Sequence, residues 1–421
     1  MNINVFGTTL QAAVFAGLFA EYGHQVYWCL NELETETQCT TQYQDNNVNQ
    51  LIQKQIQKGF LKLQKFSELN FDHQVCFMSL ASSEYERAKS IIQKIVQKPY
   101  QRPKLFINGS TFGLNGTKQL SELSDSTDCW AYLPDNIQEG NALNSVTQMQ
   151  KIIFGIDQQR TAKLIQELFR PLFPAKHQYL FMPLLDAEFT KLSISGMLAT
   201  RISYMNDLAL VSEKLGIDIS NVQQGLAADS RIGSSYLLPG AGFGGENFSH
   251  DILTLSNTVS GTGAKSRLLE QVWNINEQQK EILFRKLWNY FEGDLKGKKI
   301  AIWGASFKEN TSSIQNASIH AMLNALWAQG VIVQLHDPEA LEQIAKQYGG
   351  RPDLILFEDQ YQATENADAL CLMTAWKQYW SPDFGRLKQY MHHPLILDGR
   401  NIFDPEFVKA QGFAYQGVGR S

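Results

Sequence analysis

The strongest constraint on the fold of this chain is a succession that occurs twice: apolar strand, glycine turn, helix, apolar strand. It opens the chain, where Asn2–Phe6 runs into a turn at Gly7, a helix from about Gln11 to Tyr22 and the strand VYWCL. It returns at LKGKKIAIWG, where Lys298–Trp303 is a strand, residues near 317–329 are helical and VIVQLHD is the next strand. Such units bury a parallel sheet under helices, so each predicts a Rossmann-like α/β domain. Further apolar runs extend both domains: VCFMSL, KLFING, WAYL and IIFG in the first, LILFED, ALCLMT and LILDG in the second. Between them the period changes. AEFTKLSISGMLATRISYMNDLALVSEKLG and SRLLEQVWNINEQQKEILFRKLWNYF carry apolar residues at helical spacing without a strand break. The expected fold class is α/β, with two Rossmann-like three-layer domains (residues 1–185 and 295–421) joined by a helical central domain (186–294). Helices with this much apolar surface make either a dimer face or a core.

Composition removes several function classes. The net charge is −5 over 421 residues, which argues against a nucleic-acid footprint. No run of 18 apolar residues occurs, so no membrane span is expected. The start lacks the basic segment of a signal peptide, which makes the cytoplasm the expected location. Cys29, Cys39, Cys76, Cys129 and Cys371 are scattered with no C-x-x-C pair, so neither a metal site nor a disulfide scaffold is expected.

The first glycine turn is an incomplete dinucleotide fingerprint. G-x-G-x-x-G/A uses its second glycine to admit a pyrophosphate and its third position for close helix packing. Here Gly7 and Ala12 satisfy the first and third positions, while Thr9 places a branched side chain at the second. An acid is expected after the second strand to hold the ribose; this chain reads Leu30-Asn31. Gly7, Thr9, Ala12 and Asn31 are thus the candidate cofactor residues, in a pocket expected to be impaired or empty.

A series of later segments is more specific. AEFTKLSISGMLATRISYMND, SRIGSSYLLPGAGFGG, IAIWGASFKENT, LILDGRNIFDPE and GFAYQGVGR occur in this order. The ordered set resembles the UDP-glucose/UDP-mannuronate 6-dehydrogenase family over nearly the whole chain. The resemblance implies oxidation of a nucleotide-sugar C6 alcohol to a carboxylate with two NAD. It also implies a covalent cysteine in the pattern G-F-G-G-S-C-F-x-K-D. That pattern matches Gly242 to Asp251, with Glu246, Asn247 and His250 at the serine, cysteine and lysine positions and Asp251 retained. A carboxamide is not a nucleophile at neutral pH, so Asn247 cannot form a thioester.

The remaining site residues follow from the same resemblance. The oxyanion-stabilising lysine matches Lys191, and the asparagine one turn later matches Ser195. The threonine of S-T-V-P matches Thr111. The acid/base glutamate of N-P-E-F-L-x-E-G matches Asp135, one methylene shorter, and Glu139 is kept. Tyr236, Leu237, Gly240, Gly242, Phe243, Gly244 and Gly245 match the loop that wraps the sugar nucleotide. Arg231 matches an arginine that reaches a partner's site, and Lys308 and Arg400 match residues that grip sugar and pyrophosphate. The family's T-D-D-x-R-E reads Thr311 to Asn316, with Gln315 at the arginine.

Departures therefore gather at the cofactor (Thr9, Leu30, Gln315) and at the covalent step (Asn247, His250), while the sugar-nucleotide side stands. The leading reading is a catalytically impaired homologue that retains UDP-sugar binding, as a homodimer or paired with an active relative. The alternatives are an active NAD-dependent oxidoreductase with altered chemistry, in which His250 serves as base, and a structural partner that binds no small molecule.

Overall fold

Strand β1 (Asn2–Phe6) runs into Gly7, whose φ of +97° favours glycine, and then into helix α1 (Leu10–Glu21). A Cβ at Gly7 would stand 1.9 Å from the Ser79 carbonyl oxygen, so the turn also closes tightly on its neighbour. Helix α1 is mostly apolar, and every residue from Gln11 to Ala20 is buried. Gly17 admits helix α2 (Asn46–Gln57) at close range: a Cβ there would meet the Leu51 side chain at 2.9 Å. Phe15 and Phe19 meet Phe77 and Phe169 with ring centroids 5.2 to 6.0 Å apart, each pair adding roughly 0.5–1.5 kcal/mol beyond the area buried.

The computed structural model describes residues 1–30, 43, 45–70, 72–98, 104–263 and 267–420. The chain divides into two units, Met1–Ser193 and Ile194–Ser421. The first holds an eight-stranded sheet. Its strands are β1, β2 (Gln25–Leu30), β3 (Leu61–Lys65), β4 (Val75–Met78), β5 (Leu105–Asn108), β6 (Cys129–Tyr132), β7 (Ile152–Ile156) and β8 (Tyr179–Pro183). The order is β3-β2-β1-β4-β5-β6-β7-β8. The first six are parallel, β7 is antiparallel to β6, and β8 follows β7 in parallel. Between β5 and β6 lies the short helix α3 (Gly116–Ser121).

The second unit holds six parallel strands: β9 (Lys299–Trp303), β10 (Ile332–His336), β11 (Leu354–Leu356), β12 (Ala369–Leu372), β13 (Leu395–Asp398) and β14 (Ala414–Gly417). Their order is β11-β10-β9-β12-β13-β14. Both sheets contain the doubly wound order 3-2-1-4-5-6 in their first six strands, which places ligand-facing loops at the carboxyl ends of the strands. The fold class is as the sequence predicts: two Rossmann-like parallel-sheet domains with a helical central region.

Helix α4 (Leu184–Leu215) runs 32 residues. Glu188, Lys191, Ser195, Ser203 and Asn206 lie on its buried side. Leu185, Phe189, Met197, Tyr204, Val211 and Leu215 are 43–66% exposed, and at 100° per residue they share about a third of the circumference. Helix α5 (Glu246–Gly261) follows the glycine-rich segment. The helical stretch predicted over 266–291 is instead two helices, α6 (Leu268–Gln279) and α7 (Ile282–Tyr290). The division lets α6 bury Val272, Asn276 and Gln279 while α7 buries Ile282, Leu283 and Leu287 in the core of the second sheet. Helix α8 (Ser318–Ala328) follows β9. Among the described residues no helix is long and apolar enough to cross a membrane.

Candidate functional site

The first glycine turn is closed by its own side chains. Thr9 caps α1, its Oγ1 accepting from the Ala12 N–H at 3.1 Å. The same oxygen lies 2.5 Å from the Ser79 hydroxyl. Ser79 Oγ donates to Gln11 Oε1 at 2.8 Å, and Thr9 Oγ1 donates to the Ser79 carbonyl at 3.1 Å. Gln11 Nε2 donates onward to the Leu133 carbonyl, Trp28 Nε1 to the Gly7 carbonyl and the Tyr43 hydroxyl to the Thr8 carbonyl. A pyrophosphate on this turn would compete with Thr9 for the Ala12 amide and meet a Cβ where the fingerprint has none. The turn departs from the dinucleotide fingerprint at this position. Ala12 is fully buried, and Asn31 lies outside the described residues.

Thr111 is half-buried in the loop after β5, and its surroundings are pinned on both sides. Asn108 Oδ1 accepts from the Ser110 N–H at 2.9 Å, and Asn108 Nδ2 donates to Thr117 Oγ1 at 2.9 Å. Ser110 Oγ accepts from the Leu80 N–H at 2.8 Å. Glu188, 4% exposed, accepts from the Asn115 N–H at 2.7 Å and the Thr117 N–H at 2.8 Å. Burial pushes this carboxyl above the usual glutamate range, and the amides pull only part of it back. Asp135 is half-buried beyond β6, with Oδ1 accepting from the Ile137 N–H at 3.2 Å.

Lys191 and Ser195 are buried one turn apart on α4. Ser195 Oγ donates to Asp251 Oδ2 at 2.7 Å, and Asp251 is 2% exposed on α5. Asn247, in the first turn of α5, is exposed, one turn before Asp251. Half-buried His250 has Nε2 3.3 Å from Thr254 Oγ1. The structure thus joins Ser195 to Asp251 and leaves the Asn247 carboxamide at the surface.

The glycine-rich segment Gly240–Gly245 is buried throughout and fastened from several elements. The Gly240 N–H donates to Asn206 Oδ1 at 2.8 Å, and its carbonyl accepts from Gln279 Nε2 at 2.8 Å. The Ala241 N–H donates to the Gly399 carbonyl at 3.0 Å, and its carbonyl accepts from Ser318 Oγ at 2.5 Å. Asn276 accepts from the Phe243 N–H at 2.7 Å and donates to the Phe243 carbonyl at 3.1 Å. The Gly245 N–H reaches the Gln315 carbonyl at 2.8 Å.

Each glycine here also has a reason inside the protein. A Cβ at Gly244 would stand 2.6 Å from the Asn316 carbonyl oxygen, and one at Gly240 3.1 Å from that of Gly399. Gly242 and Gly245 have φ of +85° and +91°.

Arg400 lies beside this bed, with Nη1 3.4 Å from where a Gly240 Cβ would be. Its Nε donates to the Met373 carbonyl at 2.6 Å and Nη2 to that of Phe307 at 3.2 Å. Buried Asp398 holds the turn by accepting from the Arg400 and Phe403 N–H groups. Lys308 Nζ is 5.6 Å from the Phe307 ring centroid, and the Phe307 ring is 3.0 Å from a notional Gly245 Cβ. Leu237 is buried, while Tyr236 is 40% exposed in the left-handed region. Arg231 is exposed and pairs with Asp229 at 2.6 Å.

Sequence reasoning missed Glu188, Asn206, Asn276, Gln279 and Ser318. Glu188 carried a signal, as an acid on the core-facing row of a helical pattern three residues before Lys191. The others are ordinary polar residues in helices, and only tertiary structure brings them to the bed.

Comparison with known proteins accords with this geometry. The central domain of the UDP-glucose/GDP-mannose dehydrogenase family matches residues 185–278, and that family's UDP binding domain matches residues 301–405. The UDP-glucose 6-dehydrogenase TuaD of Bacillus subtilis is 30% identical over 324 residues, covering 75% of this chain and 69% of that protein. The chain belongs to the UDP-glucose/GDP-mannose dehydrogenase family. The UDP-glucose 6-dehydrogenase of Pseudomonas aeruginosa is 36% identical over 293 residues, 68% of this chain. The matched region spans 64% of that relative and 65% of the Rhizobium meliloti enzyme, less than two thirds of either. Among solved structures, a UDP-glucose dehydrogenase from Pyrobaculum islandicum superposes with a TM-score of 0.86 at 22% identity, covering 100% of this chain and 98% of that one. A UDP-D-ManNAc dehydrogenase from Pyrococcus horikoshii gives 0.84 at 20%, covering 100% and 99%. These two likenesses concern the fold of the family.

Proposed function

We propose that this family member binds a UDP-sugar on the Gly240–Gly245 bed and does not carry out the full oxidation. The observation that carries the reading is the pairing of a buried bed held at Gly240, Ala241, Phe243 and Gly245, with Arg400 beside it, with a carboxamide at residue 247. Arginine suits a diphosphate through its planar donors. A carboxamide lacks the nucleophilicity that thioester formation needs. Self-capping of the first turn by Thr9 points the same way, toward loss of NAD. The reading places the protein in nucleotide-sugar metabolism, with residues 1–185, 186–294 and 295–421 as its three domains.

A second reading, an oxidoreductase of altered chemistry, draws support from the buried Ser195–Asp251 pair and from Thr111. For assembly, the exposed apolar row on α4 supports pairing through this helix, with a second copy or with an active homologue.

Separate calorimetric titrations with UDP-glucose and NAD⁺ test the function. Saturable UDP-glucose binding without NAD⁺ binding is expected. Micromolar NAD⁺ affinity would sink the cofactor-loss reading, and absence of UDP-glucose binding would favour a structural partner.

A further inference from the structure

The bed is held at four of its six residues. Gly240, Ala241, Phe243 and Gly245 give backbone groups to protein partners, as described above. Gly242 and Gly244 are equally buried, yet among the described residues no protein hydrogen bond reaches the N–H or C=O of either. Buried peptide groups are almost always paired, so two such groups in one segment mark a surface meant for another molecule or for ordered water.

Between them lies Phe243, and both of its peptide groups are taken by one side chain. Asn276, fully buried on α6, presents its oxygen to the Phe243 N–H and its NH₂ to the Phe243 carbonyl. Only a carboxamide offers a donor and an acceptor so spaced at neutral pH. The Phe243 ring is held in turn by Phe248 at 5.2 Å and Trp273 at 6.2 Å, so rotation of the segment is blocked on the side-chain end as well. The Phe243 N–H shares its peptide plane with the Gly242 C=O, and the Phe243 C=O shares its plane with the Gly244 N–H, so Asn276 fixes those two groups.

We infer that Asn276 is a positioning residue for nucleotide-sugar binding. It acts through the two peptide planes of Phe243 to present the Gly242 C=O and the Gly244 N–H to the ligand. The inference rests on the UDP-sugar reading above and adds to it the residue that shapes the binding surface.

The test replaces Asn276→Asp in the full chain and titrates UDP-glucose calorimetrically against wild type at pH 8 and pH 5.5. An ionised carboxylate faces the Phe243 carbonyl with an acceptor, breaking the pattern. A protonated carboxyl again donates through its O–H and accepts through its C=O, which restores it. Burial raises the proton affinity of a carboxyl, so acidification favours the protonated form. Lys280, the residue that caps α6, pairs with Glu277 at 2.8 Å, and His320 of α8 feels the Lys280 charge; all three are common to both proteins. The ratio of variant to wild-type affinity at each pH therefore isolates the introduced group.

The expected result is affinity lower by about tenfold or more at pH 8 and restored to within about threefold at pH 5.5. A general loss of structure would not reverse on acidification. Unchanged affinity at pH 8, or a loss that persists at pH 5.5, overturns the inference and leaves the UDP-sugar reading intact. Failure of wild type to bind UDP-glucose overturns both. If the variant does not fold, amide exchange on wild type decides: UDP-glucose should protect the Gly244 amide, and unchanged exchange there refutes the inference.

Discussion

Replacing Glu188 should loosen the loop that carries Thr111. The carboxylate gives one oxygen to the Asn115 N–H and the other to the Thr117 N–H, at 2.7 and 2.8 Å. Asn115 also holds a φ of +63°, a conformation that needs support from its surroundings. Hydrogen bonds to a charged group contribute about 1.5–3 kcal/mol each. Part of that is offset because removing the carboxylate relieves its desolvation, which outweighs the two amides in setting its proton affinity. A net loss of about 2 kcal/mol in local stability follows for Glu188→Ala, or amide exchange roughly 30-fold faster at Asn115 and Thr117. Glu188→Gln should give a smaller effect, because its NH₂ opposes one of the two N–H groups while its oxygen still accepts from the other. The pH dependence has a definite sign. The folded protein keeps a proton on Glu188 where the unfolded chain, with a carboxyl near about 4.3, has released it. The contribution of this group to stability is therefore fully present below about pH 4.3 and is lost as pH rises through the raised folded value, a slope absent in Glu188→Gln. Unchanged exchange at residues 115 and 117 in Glu188→Ala would refute the argument.

Other perturbations have equally specific outcomes. Gly244→Ala places a carbon 2.6 Å from the Asn316 carbonyl; backbone must shift, costing about 1–3 kcal/mol in a chemical denaturation and weakening UDP-glucose binding. Ser195→Ala removes the donor 2.7 Å from buried Asp251 and should lower stability by about 1.5–3 kcal/mol, read from the same denaturation curves. Asn247→Cys should restore little NADH formation if the dinucleotide turn is also closed; strong rescue would mean that the thiol was the only missing part.

The parts of the fold set by periodicity were legible. β1, α1 and β2 form within a residue or two of their predicted limits, because apolar alternation and a glycine turn act locally. β3 escaped notice because LKLQK is a polar edge strand, and β8 because it is half exposed. The break between α6 and α7 has no glycine or proline to announce it. It follows from two helices burying different faces, which is tertiary information.

At the site, the motifs located the glycine bed but not what holds it. The glycines suggest a ligand's close approach, yet at Gly240 and Gly244 the near atom belongs to the protein itself. Thr9 reads as an obstacle to phosphate; in the folded chain its hydroxyl also caps α1 and binds Ser79, a pairing 70 residues apart that no local pattern encodes.

The most direct test of retained binding without oxidation is NADH formation by wild-type protein given UDP-glucose and NAD⁺ together, followed by absorbance at saturating UDP-glucose. No NADH above a protein-free control is expected. Sustained NADH formation matched by loss of UDP-glucose would contradict the account.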